Sequence, residues 1–198
     1  MTCFKYGKTE IDFLKKADAA LEKIIDRVGF IERSVASDPF FGLVSGIIGQ
    51  QISSKAANTV IKRLMDMVGK ITPDSIAKAE NLNSAGIPKR KVEYIKSITF
   101  AVLNSNFALS FDGLPDDEII KRLTSLPGIG KWSAEMFMIF SLQRKNVLSW
   151  GDYGIRKGIS LLYGERKFDS ATFNLYKDRY SPYASIASFY LWKVAAGA

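Results

Sequence analysis

Residues Leu126 to Ala134 read LPGIGKWSA and separate two segments with helical apolar spacing, Asp116 to Ser125 and Lys131 to Leu142. Gly128 and Gly130 are both able to take positive φ, which turns the chain tightly and brings bare backbone close to a partner. The first amides of the helix that follows lack intrahelical acceptors and sit at the positive end of its dipole, so they suit an anion, and Gly128, Ile129, Gly130, Lys131 and Ser133 are the candidate phosphate contacts. Such a corner recognises a phosphate backbone rather than a base sequence. A lone GxG between helices is equally an ordinary corner whose glycines only permit the turn.

The same helical period runs outward from this corner in both directions. Leu14, Ala17, Leu21, Ile24, Ile25 and Val28 share one face, with Gly29 as C-cap. Asp38-Pro39 supplies an N-cap and a first-turn proline for a helix that ends near Gln50. A helix after Ser53 or Ser54 turns Val60, Ile61, Leu64 and Val68 inward before Gly69, and Thr72-Pro73 opens a short one. After Gly86-Ile87-Pro88, a long helix carries Val92, Ile95, Ile98, Thr99 and Val102 on one side and Lys89, Arg90, Lys91 and Lys96 on its polar face. No β-alternation stands out. The expected fold is all-α, with two helical lobes sharing a cleft: residues 37–110 form the central lobe, and 1–36 plus 111–198 the lobe that bears the hairpin, within a single domain.

Composition removes several chemistries. The 198 residues include 28 Lys and Arg against 20 Asp and Glu, a net charge of +8 that favours polyanionic partners. There is no histidine, which removes Ser-His-Asp triads, histidine bases and most zinc sites. The single cysteine, Cys3, allows no internal disulfide and no four-cysteine iron–sulfur cluster. Without a signal-like apolar core or a membrane-length apolar run, the expected setting is the cytoplasm.

Seven residues beyond the second hairpin helix begins SWGDYGIRKG, Ser149 to Gly158, which puts Asp152 ten residues beyond it. The combined pattern, LPGIGKW, about twenty residues, then GDYGIRKG, resembles the helix-hairpin-helix DNA glycosylase superfamily, and within it the alkyladenine branch. The resemblance implies that Asp152 is the catalytic carboxylate; read from the residues alone, Asp152 is an N-cap for a helix from Tyr153 to Leu162. Upstream, SGIIGQQISSKAA, Ser45 to Ala57, is similar to the family segment that enters the minor groove. It implies that Gln51 lies beside the lesion, that Ile52 is the wedge filling the vacated stack, and that Ser53 faces neighbouring bases. Ile52 otherwise reads as core and Ser53 as an N-cap. SPYASIASFYLWK, Ser181 to Lys193, is similar to the family's closing helix and nominates Trp192 for the base pocket, against a plain core tryptophan. Trp132 is matched to the same pocket.

In lyase-competent branches a lysine stands two residues after the second hairpin glycine. Here that residue is Trp132, and Lys131 is one position early. The resemblance therefore implies a monofunctional enzyme that uses water, requires no cofactor and leaves the strand uncut. Its implied partner is double-stranded DNA containing damaged bases, with no membrane partner, and a monomer is expected. No catalytic metal is implied, although hairpin carbonyls in relatives hold a monovalent cation. The sequence departs from the family pattern at Met136, where an aromatic lines the pocket, at Ala184, where an arginine stands, and at Trp150-Gly151, where the approach to the Asp contains a proline. Substrate range stays open on that account: alkylated purines first, with 3-methyladenine and 7-methylguanine in view, deaminated or oxidised bases second, and a non-catalytic DNA-binding module third.

Overall fold

Polar side chains at helix starts and glycines at helix ends set the element boundaries. In the computed structural model, which describes residues 2–105, 107–165 and 168–198, the order is β1 (Thr2–Cys3), α1 (Lys8–Ala17), α2 (Ala19–Val28), β2 (Ser34–Val35), α3 (Pro39–Gly49), α4 (Ser54–Val68), α5 (Pro73–Lys78), a 3-10 turn at Leu82–Ala85, α6 (Lys89–Asn104), α7 (Asp116–Thr124), α8 (Lys131–Phe140), α9 (Tyr153–Tyr163), α10 (Ser170–Tyr180) and α11 (Ala184–Ala195). Asp38, Ser53, Thr72, Asp152 and Asp169 each accept a backbone N–H at the start of the helix that follows. Gly29 and Gly69 close α2 and α4 with positive φ.

Two readings of the sequence change. The apolar face from Leu14 to Val28 belongs to two helices, because Asp18 takes an extended conformation and turns its carboxylate onto the amides of Ala20 and Leu21. A minimal sheet also forms, with Thr2 opposite Val35 and Cys3 opposite Ser34 in antiparallel register. Two-residue strands give no alternation to detect. No helix among the described residues is long and apolar enough to cross a membrane.

The chain divides into two compact units. The first joins the residues up to Val35 with Met138–Ala198. Its centre is α11, apolar around its circumference, as a helix enclosed by others must be. Ile186, Ala187, Phe189, Tyr190 and Leu191 are all buried there, and the buried Ser188 hydroxyl is satisfied by Ala184 O at 3.0 Å. Asp18 anchors the same unit: besides capping α2 it accepts Tyr163 Oη at 2.7 Å and Arg179 Nη1 at 2.8 Å.

Burial alone would raise the Asp18 carboxyl, but the bonds from the Leu21 amide, Arg179 and Tyr163 outweigh it and hold the group below the ordinary value of 3.8. A depressed folded pKa contributes stability that is complete above the unfolded value and disappears as pH falls through the lower folded one. The melting temperature should therefore fall as the solution is acidified below about pH 4, and Asp18→Asn should flatten that acid limb while costing about 2 kcal/mol at neutral pH. An unchanged acid limb in the variant, followed by thermal melts from pH 2 to pH 7, would refute the assignment.

The second unit spans Ala36–Phe137. Its core gathers Phe40, Val44 and Ile47 of α3, Leu64 of α4, Ile95 and Ile98 of α6, and Ile119 and Leu123 of α7. Residues 111–137 thus group with 36–110, whereas the lobe assignment from sequence placed them with the terminal segments. Packing explains the difference: Phe111 meets Phe137 edge-on at 5.6 Å, and the hairpin lies against α6 through Tyr94.

Candidate functional site

In the second unit the hairpin corner is built around Gly128, whose φ is +82°. A Cβ at this position would stand 2.3 Å from the Tyr94 ring, so the glycine answers both the backbone and the neighbour. Gly130 behaves differently from the sequence expectation: its φ is not positive, and nothing lies within 4 Å of where its Cβ would be. Its bareness serves no internal contact and leaves backbone open to an outside group. Ile129 is buried and its amide bonds Leu126 O at 3.2 Å, so this residue anchors the corner rather than offering a donor. Lys131 and Trp132 are exposed, Ser133 and Met136 half-buried.

The turn between α3 and α4 lies in the same unit. Gln51 holds φ 59°, a conformation that costs a non-glycine residue about 1 kcal/mol or more. Ile52 next to it is 41% exposed, which argues against the plain core reading. Ser53 caps α4 by accepting Ala56 N at 3.2 Å. Gln50, absent from the sequence-based site, donates from Nε2 to Gly128 O at 2.9 Å and Ser133 Oγ at 3.1 Å, joining the turn to the hairpin. A cavity of about 440 Å³ beside them is lined by Gln51, Ile52, Arg90, Lys91, Tyr94 and Gly128 among others.

The first unit holds the carboxylate. Asp152 is 8% exposed and caps α9, its Oδ1 accepting Ile155 N at 2.8 Å and Trp192 Nε1 at 2.9 Å. Two glycines of α9 permit this pairing. At Gly154 a Cβ would stand 2.8 Å from Trp192 Cδ1 and 3.2 Å from Asp152 Oδ1; at Gly158 it would stand 2.3 Å from Leu191 O, on the backbone of α11. Trp192 stacks on Phe140 at 5.7 Å and Phe189 at 6.1 Å, and the Arg33 guanidinium lies 5.4 Å from its ring centroid. Burial pushes the Arg33 pKa down from its ordinary value. Trp150 packs edge-on against Phe173 and Phe168, under Arg156 at 5.2 Å.

Asp152 caps α9 as read from the residues alone, and a capped carboxylate that also accepts a tryptophan N–H is fixed in direction. The core reading of Trp192 is incomplete, because its indole nitrogen serves the carboxylate. Gly154 and Gly158 carried no sequence signal beyond lying four residues apart on a helix.

The family model described as HhH-GPD superfamily base excision DNA repair protein matches residues 44–178. The chain belongs to this superfamily. The match takes in the Gln51 turn, the hairpin and Asp152 of this HhH-GPD protein, and stops before Trp192. DNA-3-methyladenine glycosylase 1 of Schizosaccharomyces pombe is 31% identical over 166 residues, covering 80% of this chain and 73% of the relative. The crystal structure of a DNA-3-methyladenine glycosidase from Bacillus halodurans has a TM-score of 0.83 at 35% identity, covering 100% of this chain and 94% of the other. A 3-methyladenine DNA glycosylase of S. pombe in complex with abasic DNA has a TM-score of 0.82 at 28% identity, covering 94% and 96% respectively.

Proposed function

We propose that this HhH-GPD protein is a monofunctional DNA glycosylase that removes alkylated purines, 3-methyladenine foremost and 7-methylguanine with it, from double-stranded DNA by hydrolysis. The observation that carries the proposal is the Asp152 carboxylate, directed by Ile155 N and Trp192 Nε1. Relatives and structural neighbours that act on 3-methyladenine support the substrate class.

Alkylation leaves a positive charge on the purine ring, so the C1'–N bond breaks with its electron pair passing to the base nitrogen. Positive charge builds on the sugar as an oxocarbenium ion. An ionised carboxylate near C1' stabilises that charge; water then adds to C1', and its proton passes to Asp152 or to solvent. The products are a free base and an abasic site in an uncut strand. In this reading Gln51, Ile52 and Ser53 enter the DNA once the base has left the stack, and the backbone around Gly130 and Lys131 meets a phosphate. Trp132, Met136, Trp150 and Trp192 are the candidates for contact with the base, with Trp192 bonding Asp152 as well.

The reaction needs no cofactor. The hairpin carbonyls are neutral oxygen donors, which suits a weakly held monovalent cation rather than a divalent one; the Leu126 and Gly128 carbonyls each accept one N–H and retain a second lone pair. Such a cation would neutralise phosphate charge, and no step depends on it.

Base release from methylated duplex DNA, analysed by chromatography, tests the reading. Free 3-methyladenine should appear while the strand stays intact until heat or alkali is applied. A panel of single-lesion duplexes separates alkylated from deaminated and oxidised bases. Binding that weakens with salt, without release from any lesion, would leave only a DNA-binding module. Strand cleavage without alkali would refute the water-only route.

A further inference from the structure

We propose that Lys91 is a positioning residue: its ammonium sets the turn that presents Ile52, while Gln50 ties the same turn to the hairpin. The inference rests on the reading of Ile52 as the side chain that enters DNA.

After α3 ends at Gly49, Gln50 leaves the helix with φ −57° and ψ 130°, and Gln51 turns into the left-handed region, which side-chain-bearing residues disfavour. Something must hold the turn there. Lys91 Nζ donates to Ile48 O at 2.8 Å and to Gln50 O at 2.6 Å. Those carbonyls lie at the end of α3, where the helix leaves acceptors unpaired and its dipole is negative, so a cation is stabilising on both counts. Lys91 is placed for this by α6, where it stands in register with the buried Ile95 and Ile98, four and seven residues on. Burial pushes its pKa down, as expected of an ammonium drawn out of water.

From the other side, Gln50 Nε2 bonds Gly128 O and Ser133 Oγ. The turn is therefore clamped between α6 and the hairpin. The cavity of about 440 Å³ beside Gln51 and Ile52 leaves these side chains room to swing once either clamp is released. Without Lys91, Gln51 should relax to an ordinary backbone conformation and Ile52 should leave the direction in which it is held.

The test uses the full chain with two DNA probes. The first is a duplex with a tetrahydrofuran abasic analogue beside 2-aminopurine, whose fluorescence reports local unstacking; the second is methylated duplex DNA for single-turnover base release. Lys91→Met should bind undamaged duplex as the parent protein does. It should lose the fluorescence change down to the level of Ile52→Ala, and should release bases at least about tenfold more slowly. Lys91→Arg, which keeps charge and donors, should restore most of both signals, a rescue that loss of bulk stability would not produce. Gln50→Met should give the same pattern from the other clamp, which keeps the test decisive if Lys91→Met does not fold. Parent-like fluorescence and release in Lys91→Met overturns the proposal while Ile52→Ala is impaired; if Lys91→Met does not fold, the same result in Gln50→Met overturns it. If Ile52→Ala itself matches the parent, the reading of Ile52 falls and takes the proposal with it.

Discussion

Asp152→Asn should lower single-turnover base release from methylated DNA by at least about a hundredfold, equivalent to ~2.7 kcal/mol of transition-state stabilisation, without unfolding the protein. The two effects separate because the cap and the proposed catalytic role make different demands on the side chain. As an N-cap, asparagine is about as good as aspartate, and its amide oxygen can still accept from Ile155 N and Trp192 Nε1. As a stabiliser of positive charge on the sugar it is not equivalent, because the amide carries no net charge. Melting temperature and release rate measured on the same preparation provide the check. Asp152→Ala gives a useful contrast: it should lose the activity and also about 1 kcal/mol of stability with the cap. Equal base release by Asp152→Asn and the parent would end the assignment of Asp152 as the catalytic group.

Gly158→Ala should be among the most damaging single-methyl changes to the fold. A Cβ at 158 would sit 2.3 Å from Leu191 O. The obstacle is backbone in the middle of α11, so no rotamer change relieves it, and α9 and α11 must move apart. Overpacking of this kind costs about 3 kcal/mol, which for a chain of this size lowers the melting temperature by roughly 6–12 °C. Base release should fall as well, since α9 carries Asp152 at its start and α11 carries Trp192. Gly130→Ala is the matched control for stability. With nothing within 4 Å of its Cβ, it should stay within about 0.5 kcal/mol of the parent. A melting temperature for Gly158→Ala equal to that of Gly130→Ala would show that the helix pair tolerates separation.

Much of this was legible in the sequence, for local reasons. Asp38-Pro39, Ser53 and Thr72-Pro73 announce helix starts because the cap bonds are made within three residues, and the structure places each as read. The hairpin was legible through Gly128. What stayed hidden depends on partners distant in the chain. Asp18 looks like one polar residue on an amphipathic helix until its cap bonds and Arg179 are known. Lys91 reads as one of four cations on the polar face of its helix, although its register with Ile95 and Ile98 is the available signal that it points inward. Gly158 carries no local mark, because its reason is a carbonyl thirty-three residues away on α11. The bond from Trp192 to Asp152 is hidden in the same way, by the forty residues between them.

The close fit between Gly154 and the Trp192 indole has a consequence for how this chain can drift. Any side chain at 154 would strike the indole and the carboxylate together, whereas a smaller residue at 192 would remove the reason for a glycine and, with it, one of the bonds that direct Asp152. The two positions are therefore coupled in one direction: a side chain at 154 fits only beside a smaller residue at 192, and the carboxylate then gives up the bond from the indole.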